Sequence, residues 1–335
     1  MTYQLGVVGS NWISEQFIAA AQENCQFNLA AVYSRSVDHG EKITKKFGRG
    51  QVYTDFTKFL ASNISVVYIA SPNSLHFIQT KTALLKHKHV ICEKPAFSNP
   101  RELNEIRRIL KDNPDLFFFE AQRNLYDPNF QVIKDLLNEF GPIWGANLNF
   151  IRQSSRYPAL KAGKLPNAFS TVYSGGALAD LGVYLVAFAV GLFGEPEKVN
   201  YQAEKWPVKD GADIFGVGSL TYSDLLVALA IGKNVTSENN NEIYGENGTL
   251  IIDSVANLSK IKLRYPSGEI QDISLHNSGN PLSFEAKSFY WILAKQNHQK
   301  MLEQFEQTAI VNRTLKLMRD QAGIIFTSDQ VSKAL

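Results

Sequence analysis

Near the N-terminus the stretch "GVVGSNWIS", Gly6 to Ser14, has the spacing of a loop that cradles a pyrophosphate. The dinucleotide-binding pattern is G-x-G-x-x-G or A between a strand and a helix. Its glycines serve a tight turn, close backbone approach to the phosphates, and helix–strand packing. Here Gly9 supplies the turn, Asn11 stands at the second glycine and Ser14 at the third. Asn tolerates left-handed backbone better than other non-glycine residues, so the turn can survive Asn11. Asn11 either substitutes for a left-handed glycine or loosens the grip on the pyrophosphate, its side chain crowding or contacting a phosphate. Ser14 is small enough for close packing. The loop's candidate cofactor contacts are Gly9, Ser10, Asn11, Trp12 and Ile13. The same string also suits a plain strand–helix turn, and the rest of the chain has to decide between them.

A second chemical signal is "YSRS", Tyr33 to Ser36, at the end of the next strand. A loop that prefers NAD carries an acid here for the ribose hydroxyls. Ser34 and Arg35 stand there instead. A guanidinium beside hydroxyls suits a 2′-phosphate, which favours NADP over NAD. The alternative is a solvated surface arginine. Asp38 lies too far along to serve the ribose.

The elements that must position these residues alternate in the first part of the chain. "YQLGVVG", "FNLAAVYS", "ISVVYIAS", "KHVICEK" and "LFFFEAQ" read as strands. The segments between them read as amphipathic helices, one opened by Pro100. Strand–helix repetition at this spacing implies right-handed crossovers and a doubly wound parallel sheet. Ligands of such sheets bind at the carboxyl edge of the strands. After about Tyr126 the pattern changes. Alternating strands run from "PIWGANLNFI" to "EIQDISL", joined at "YSD", "ENG" and "PSG" in the manner of hairpins. One long helix, from about Gly176 to Phe193, interrupts this mainly antiparallel sheet, and the chain is largely helical from Leu282. The expected organisation is a dinucleotide-binding domain over residues 1–125. A substrate-binding and oligomerisation α+β domain follows over 126–335, its C-terminal helices packing back on the first.

Composition bounds the function. The chain has 335 residues, 44% hydrophobic and 20% charged, enough to build two cores. With 34 Lys and Arg against 32 Asp and Glu, the net charge of +2 excludes a protein built to hold nucleic acid or an anionic membrane. The longest apolar stretch, Tyr184 to Gly194, is too short to cross a bilayer. The N-terminus does not read as a signal peptide, so a cytoplasmic location is expected. Cys25 and Cys92 have no partner at metal or redox spacing and are expected to be buried thiols. No set of side chains has zinc spacing, and no metal is expected.

Three further motifs stand in order: "SPNSLHFIQTKTALLKHKHVICEKP" (Ser71 to Pro95), "GGALADLGVYLVAFAVGLFG" (Gly175 to Gly194) and "GENGTLIID" (Gly245 to Asp253). Together they resemble the glucose-fructose oxidoreductase / inositol dehydrogenase / MocA-like (Gfo/Idh/MocA) family over nearly the whole chain. "DLGVY", with Tyr184 where other members place His, resembles its dimeric dihydrodiol dehydrogenase / NADP-linked xylose dehydrogenase branch. The resemblance implies a Rossmann domain joined to a mainly antiparallel α/β domain. It also implies NAD(P)-dependent oxidation or reduction of a sugar, polyol or diol.

The resemblance further implies roles. Ser71, Pro72 and Asn73 would lie along the dinucleotide, Glu93 on the nicotinamide ribose, and Lys94 beside both cofactor and substrate. His76 would be a structural or cofactor-side hydrogen-bonding group. Oxidising an alcohol by hydride loss requires a base on the hydroxyl proton. A free phenol is a weak base near neutrality, and a nearby ammonium strengthens it by favouring phenolate. Tyr184 would therefore be the acid/base and Lys94 its tuning and orienting partner. Asp180, one helical turn away, would bond substrate or lysine.

Two departures stand out. One is Asn11. The other is "EAQRNLYDP", where relatives place an arginine five positions after the Glu that matches Glu120. Leu125 stands there, and Arg123 comes two residues early. The segment Ser154 to Gly176 is expected to form part of the substrate wall, with Arg156, Lys161, Lys164, Asn167 and Phe169 as lining or solvated side chains. His87 and His89 read as surface residues at the far end of the sheet. The alternative to an enzyme is a dinucleotide-sensing regulator of the same fold. A homodimer or homotetramer through the second sheet is expected.

Overall fold

The computed structural model describes residues 2–23 and 26–330, so Cys25 lies outside the described residues. The chain packs as two compact units. The first runs to Ala121 and includes Gly279–Glu306, and the second comprises Gln122–Ser278 and continues from Gln307.

Unit one is a six-stranded parallel sheet made of β1 (Tyr3–Val8), β2 (Phe27–Tyr33), β3 (Gln51–Tyr53), β4 (Val66–Ile69), β5 (His89–Glu93) and β6 (Phe118–Ala121). Their spatial order is β3-β2-β1-β4-β5-β6, the arrangement of a doubly wound dinucleotide-binding domain. The central strands are apolar without alternation because both faces are covered. Every residue of β4 is buried, and in β1 only Gln4 is not. Five helices cross between them: α1 (Trp12–Gln22), α2 (Val37–Phe47), α3 (Phe56–Ala61), α4 (Asn73–Leu85) and α5 (Pro100–Asp112). Side chains start several of them. Asn11 caps α1, Asp55 caps α3, and Asn99 caps α5 with Pro100 in its first turn. Neither β3 nor α3 was legible in the sequence, since three- and six-residue elements show no period.

His89 departs from expectation. It opens β5 and is half-buried, edge-on to the rings of Tyr3 and Phe117, and its Nδ1 accepts the Phe117 N–H at 3.2 Å. His87 is exposed. Still in unit one, α9 (Ser283–Ala294) lies on α1. Asn280 Nδ2 donates to the Gln16 carbonyl at 2.7 Å, and Tyr290 meets Tyr3 and Phe27 edge-on.

Unit two is built on eight strands: β7 (Ile143–Ile151), β8 (Lys198–Lys205), β9 (Asp213–Thr221), β10 (Leu226–Gly232), β11 (Asn241–Gly245), β12 (Gly248–Ile252), β13 (Ile261–Arg264) and β14 (Ile270–Asp272). The order is β14-β13-β12-β11-β7-β10-β9-β8. Every neighbouring pair is antiparallel except β7 and β10, which run parallel with Leu148 beside Leu229. Its helices include α6 (Pro128–Leu137), the one-turn α7 (Tyr157–Lys161) and, inside the core, α8 (Val183–Phe193). Its residues from Val183 to Val190 are all buried, in one core with Leu148, Leu229, Ile231 and Ile243.

The long helix expected from Gly176 is not uniform. Leu178–Gly182 forms a π-turn, and α8 follows it directly. A 3-10 turn, Thr171–Tyr173, comes before it, separated by residues 174–176, where Ser174 and Gly176 take positive φ. By length and composition alone the stretch from Thr171 to Phe193 could cross a membrane, yet 72% of an apolar 18-residue window of it is buried within the protein.

Candidate active site

The N-terminal loop differs from its expected form at Asn11. That residue is extended, with φ −103° and ψ 175°, and it is the N-cap of α1. An N-cap takes β-region backbone while its side chain accepts a helix N–H, and Asn is among the best residues for the task. Asn11 Oδ1 accepts from the Ser14 N–H and the Ser14 hydroxyl, both at 3.0 Å, and its Nδ2 donates to the Ala70 carbonyl at 2.9 Å. The left-handed residue is Gly9, at φ +109°, where a Cβ would stand 2.7 Å from the Ala70 oxygen. The loop therefore turns at Gly9 and is braced through Asn11 to the end of β4. The N–H groups of Trp12 and Ile13 lead the helix and precede any intrahelical bond. A glycine turn with no room for a side chain, leading into the unbonded N–H groups of a helix start, fits the pyrophosphate of a nicotinamide dinucleotide.

At the end of β2, Ser34 is buried and its Oγ accepts the Ser36 N–H at 3.3 Å, with the Ser10 hydroxyl 3.5 Å away. Arg35 is exposed beside them, and Asp38 sits in the first turn of α2.

The ends of β4 and β5 are joined through His76. This residue of α4 is buried, with one ring nitrogen 3.0 Å from the Pro95 carbonyl and the other 2.9 Å from that of Ser71. A neutral ring can donate to one of these. Burial pushes the imidazole below its ordinary range, and Lys94 adds to the effect. Of the two roles the sequence left open, the geometry gives His76 the structural one. It braces the "SPN" turn against the "EKP" turn. Ser71, Pro72 and Asn73 are half-buried there, with Ser71 donating to Gln79 at 2.7 Å.

Glu93 and Lys94 close β5 and are both half-buried. Tyr68 Oη donates to Glu93 Oε1 at 2.5 Å, and its ring stacks on Phe17 at 3.8 Å. Burial, with Glu93 adjoining, holds this phenol well above its usual range, so it stays a proton donor. The turn after Lys94 is tied down by Glu120, which accepts the Ala96 N–H at 2.8 Å. Cys92 is a buried thiol, pushed up by burial.

In unit two, Asp180 lies in the π-turn and Tyr184 in the first turn of α8. Insertions of this kind widen a helix and are frequent at functional sites. The helix start is pinned by Asp213, fully buried, whose Oδ2 accepts from the Leu178 N–H at 2.7 Å and from Tyr201 Oη at 2.8 Å. Gly176, at φ +122°, is demanded by this contact, since a Cβ would stand 2.0 Å from Asp213 Oδ1.

Tyr184 is buried and makes an edge contact with Phe150. The Arg123 guanidinium lies over its ring, 5.6 Å from the centroid. The arginine that arrives early in sequence is thus set against the candidate acid/base. Asp180 Oδ2 accepts from Lys233 Nζ at 2.7 Å. Sequence reasoning missed Lys233, because a lysine that ends an apolar strand reads as solvated. It also missed Tyr68 and Asp213, for which no local signal exists. Of the expected wall residues, Phe169 is core, packed with Leu160 and Ile214, whereas Arg156, Lys161 and Lys164 are exposed. Among the described residues no cluster of three potential metal ligands occurs.

A doubly wound sheet whose first strand ends in a glycine turn on a capped helix, joined to a large mixed sheet, defines the class of two-unit dinucleotide-binding oxidoreductases. Residues 3–120 match the oxidoreductase family described as having an NAD-binding Rossmann fold, and residues 131–251 match the Gfo/Idh/MocA C-terminal domain. The chain is 32% identical over 328 residues to the scyllo-inositol 2-dehydrogenase (NADP(+)) IolU of Bacillus subtilis, covering 98% of this chain and 99% of that one. It is 21% identical to the human trans-1,2-dihydrobenzene-1,2-diol dehydrogenase, over 98% of this chain and 100% of that one. A solved structure of the 3-ketoreductase KijD10 from Actinomadura kijaniata, with NADP and TDP-benzene, superposes with a TM-score of 0.84 at 21% identity, covering 96% of this chain and 98% of that one. The chain belongs to the Gfo/Idh/MocA oxidoreductase family.

Proposed function

We propose that this protein is an NADP-preferring dehydrogenase or reductase of a polyol, sugar or diol. The observation that carries the reading is in unit two. Asp180 and Tyr184 sit one turn apart, the carboxylate held by an ammonium and the phenol ring faced by the Arg123 guanidinium. A protein that only sensed a dinucleotide would need the phosphate loop, but not an acid/base group with charged partners. The 32% identity to an NADP-dependent inositol dehydrogenase supports the substrate class.

When bound, the nicotinamide accepts or supplies the hydride at the reacting carbon. The Trp12 and Ile13 N–H groups would hold the pyrophosphate, and Ser34 with Arg35 would hold the 2′-phosphate. Glu93, to which Tyr68 donates, would accept from the ribose hydroxyls. By the family resemblance Lys94 would be the ammonium that orients the substrate oxygen and favours its anionic form. Tyr184 takes the hydroxyl proton in oxidation and returns it in reduction, and Asp180 accepts from a neighbouring substrate hydroxyl.

The outer face of the second sheet supports assembly as a homodimer or homotetramer. Val217 and Leu226 are exposed on β9 and β10, and the small residues Ala228 and Ser219 lie paired between those strands.

Purified protein titrated with NADPH and NADH by fluorescence, then assayed with inositols, aldoses and diols, tests the reading. Tighter binding of NADPH and turnover of at least one polyol are expected. Binding without turnover on the whole panel would favour the sensor instead.

A further inference from the structure

Lys233 follows β10, and its side chain is only 2% exposed. Its Nζ donates to Asp180 Oδ2 at 2.7 Å and to the Ala168 carbonyl at 2.9 Å, and it lies 4.7 Å from the centroid of the Phe169 ring. The backbone on either side is fixed. The Lys233 N–H donates to Ile214 O at 2.8 Å, and its carbonyl accepts the Ser154 N–H at 2.9 Å. The ammonium is therefore enclosed at the meeting point of three segments: the end of the sheet, the turn 167–169, and the π-turn before α8.

Burying an ammonium is costly, and a well-packed apolar side chain in its place would often be as stable. Stability is thus a poor account of Lys233, and the location of its partner is a better one. Asp180 keeps 40% of its side chain exposed while one of its oxygens is held from behind by a group that cannot move. The arrangement leaves a half-exposed carboxylate whose orientation is set by Lys233, one turn from Tyr184. Asp213 holds the same helix start through the Leu178 N–H, so Lys233 and Asp213, both buried, each bond the π-turn.

We infer that Lys233 is a positioning residue for the reaction. It aims the Asp180 carboxylate at a substrate hydroxyl and, through the Ala168 carbonyl, ties the 167–176 segment to the same carboxylate. The inference rests on the reading that Asp180 and Tyr184 serve the substrate. A preset acceptor of this kind distinguishes polyols, which offer a second hydroxyl beside the reacting one, from simple secondary alcohols.

Lys233→Met and Lys233→Arg, with Asp180→Asn and the Asp180→Asn/Lys233→Met double variant, test it by steady-state kinetics and NADPH titration. Lys233→Met is expected to lower kcat/KM for the polyol by about 10²-fold, the scale of an ångström-sized misplacement, with NADPH affinity unchanged. The double variant should be no worse than Asp180→Asn alone, because the lysine acts through that carboxylate. Lys233→Arg keeps the charge but not the shape, and should raise KM several-fold with a smaller change in kcat. Additive losses in the double variant would overturn the inference, as would wild-type kcat and KM in Lys233→Arg, which decides the matter even if the methionine variant does not fold. A folded Lys233→Met protein with wild-type kcat/KM, alongside a dead Tyr184→Phe, would sink this inference alone. Full activity in Tyr184→Phe would sink the reading beneath it.

Discussion

The side chain of Asn11 joins the N-terminus of α1 to the Ala70 carbonyl at the end of β4, at 2.9 Å. A residue at the usual place of a phosphate-loop glycine thus works as a strut between two strand ends that both border the dinucleotide edge. Its amide is engaged with Ser14 and Ala70, so the loop keeps its shape through side-chain bonds where glycine would rely on backbone freedom alone.

Asn11→Ala removes the helix cap, worth about 1 kcal/mol, and a hydrogen bond to Ala70 worth about another. Urea unfolding should show a loss of roughly 2 kcal/mol. Asn11→Ser, which keeps the cap, should lose about half of that. Unchanged stability in Asn11→Ala would show that the strut carries no load.

Arg35→Ala should raise the Kd for NADPH by roughly 10- to 100-fold, the equivalent of one charge-assisted contact of about 1.5–3 kcal/mol. The Kd for NADH should stay within about twofold. Equal losses for both cofactors would reject a contact with the 2′-phosphate.

Tyr184→Phe should reduce kcat by about 10²- to 10⁴-fold, the contribution of a positioned proton-transfer group, and leave NADPH binding unchanged. The ring stays in place against Phe150 and under Arg123, so thermal stability should change little. Retained turnover would assign the proton transfer to another residue.

Burial pushes His89 from 6.5 down to about 4, with His298 adding to the effect and Asp115 opposing it. The folded form therefore favours the neutral ring, and between those two values the unfolded chain binds a proton that the native state does not. The contribution is complete above pH 6.5 and is lost as pH falls toward 4, by about 1.4 kcal/mol per unit and roughly 3 kcal/mol in all. His89→Asn, which keeps an acceptor for the Phe117 N–H, should flatten stability over that interval. A wild-type slope in the variant would place the acid sensitivity elsewhere.

Much of the architecture was legible because its signals are local. Runs such as "VVYIA" and "FNLAAVY", broken by capped helices, define a parallel sheet from residues a few positions apart. The hairpin joints at "YSD", "ENG" and "PSG" fell where β9–β10, β11–β12 and β13–β14 turn. The parallel pairing of β7 with β10 was not legible, since strand pattern does not encode direction. Asn11 shows the same limit at a single residue. Its type restricted it to a few backbone states, and the choice of the extended one came from the helix it caps and the carbonyl it meets 59 positions away.

The sequence by itself determined the two-part fold, the phosphate loop, the residue types around Arg35, and the order of Lys94, Asp180 and Tyr184. All of these are matters of period, spacing and side-chain chemistry. Only the tertiary structure decided which groups act on them. Lys233 stands 53 positions from the carboxylate it holds, Tyr68 stands 25 from Glu93, and Arg123 reaches Tyr184 from outside the helix. The physical reason is that charge and hydrogen bonding act over a few ångströms through space. Those distances are set when a strand end and a helix start pack together, and no local pattern in the chain records them.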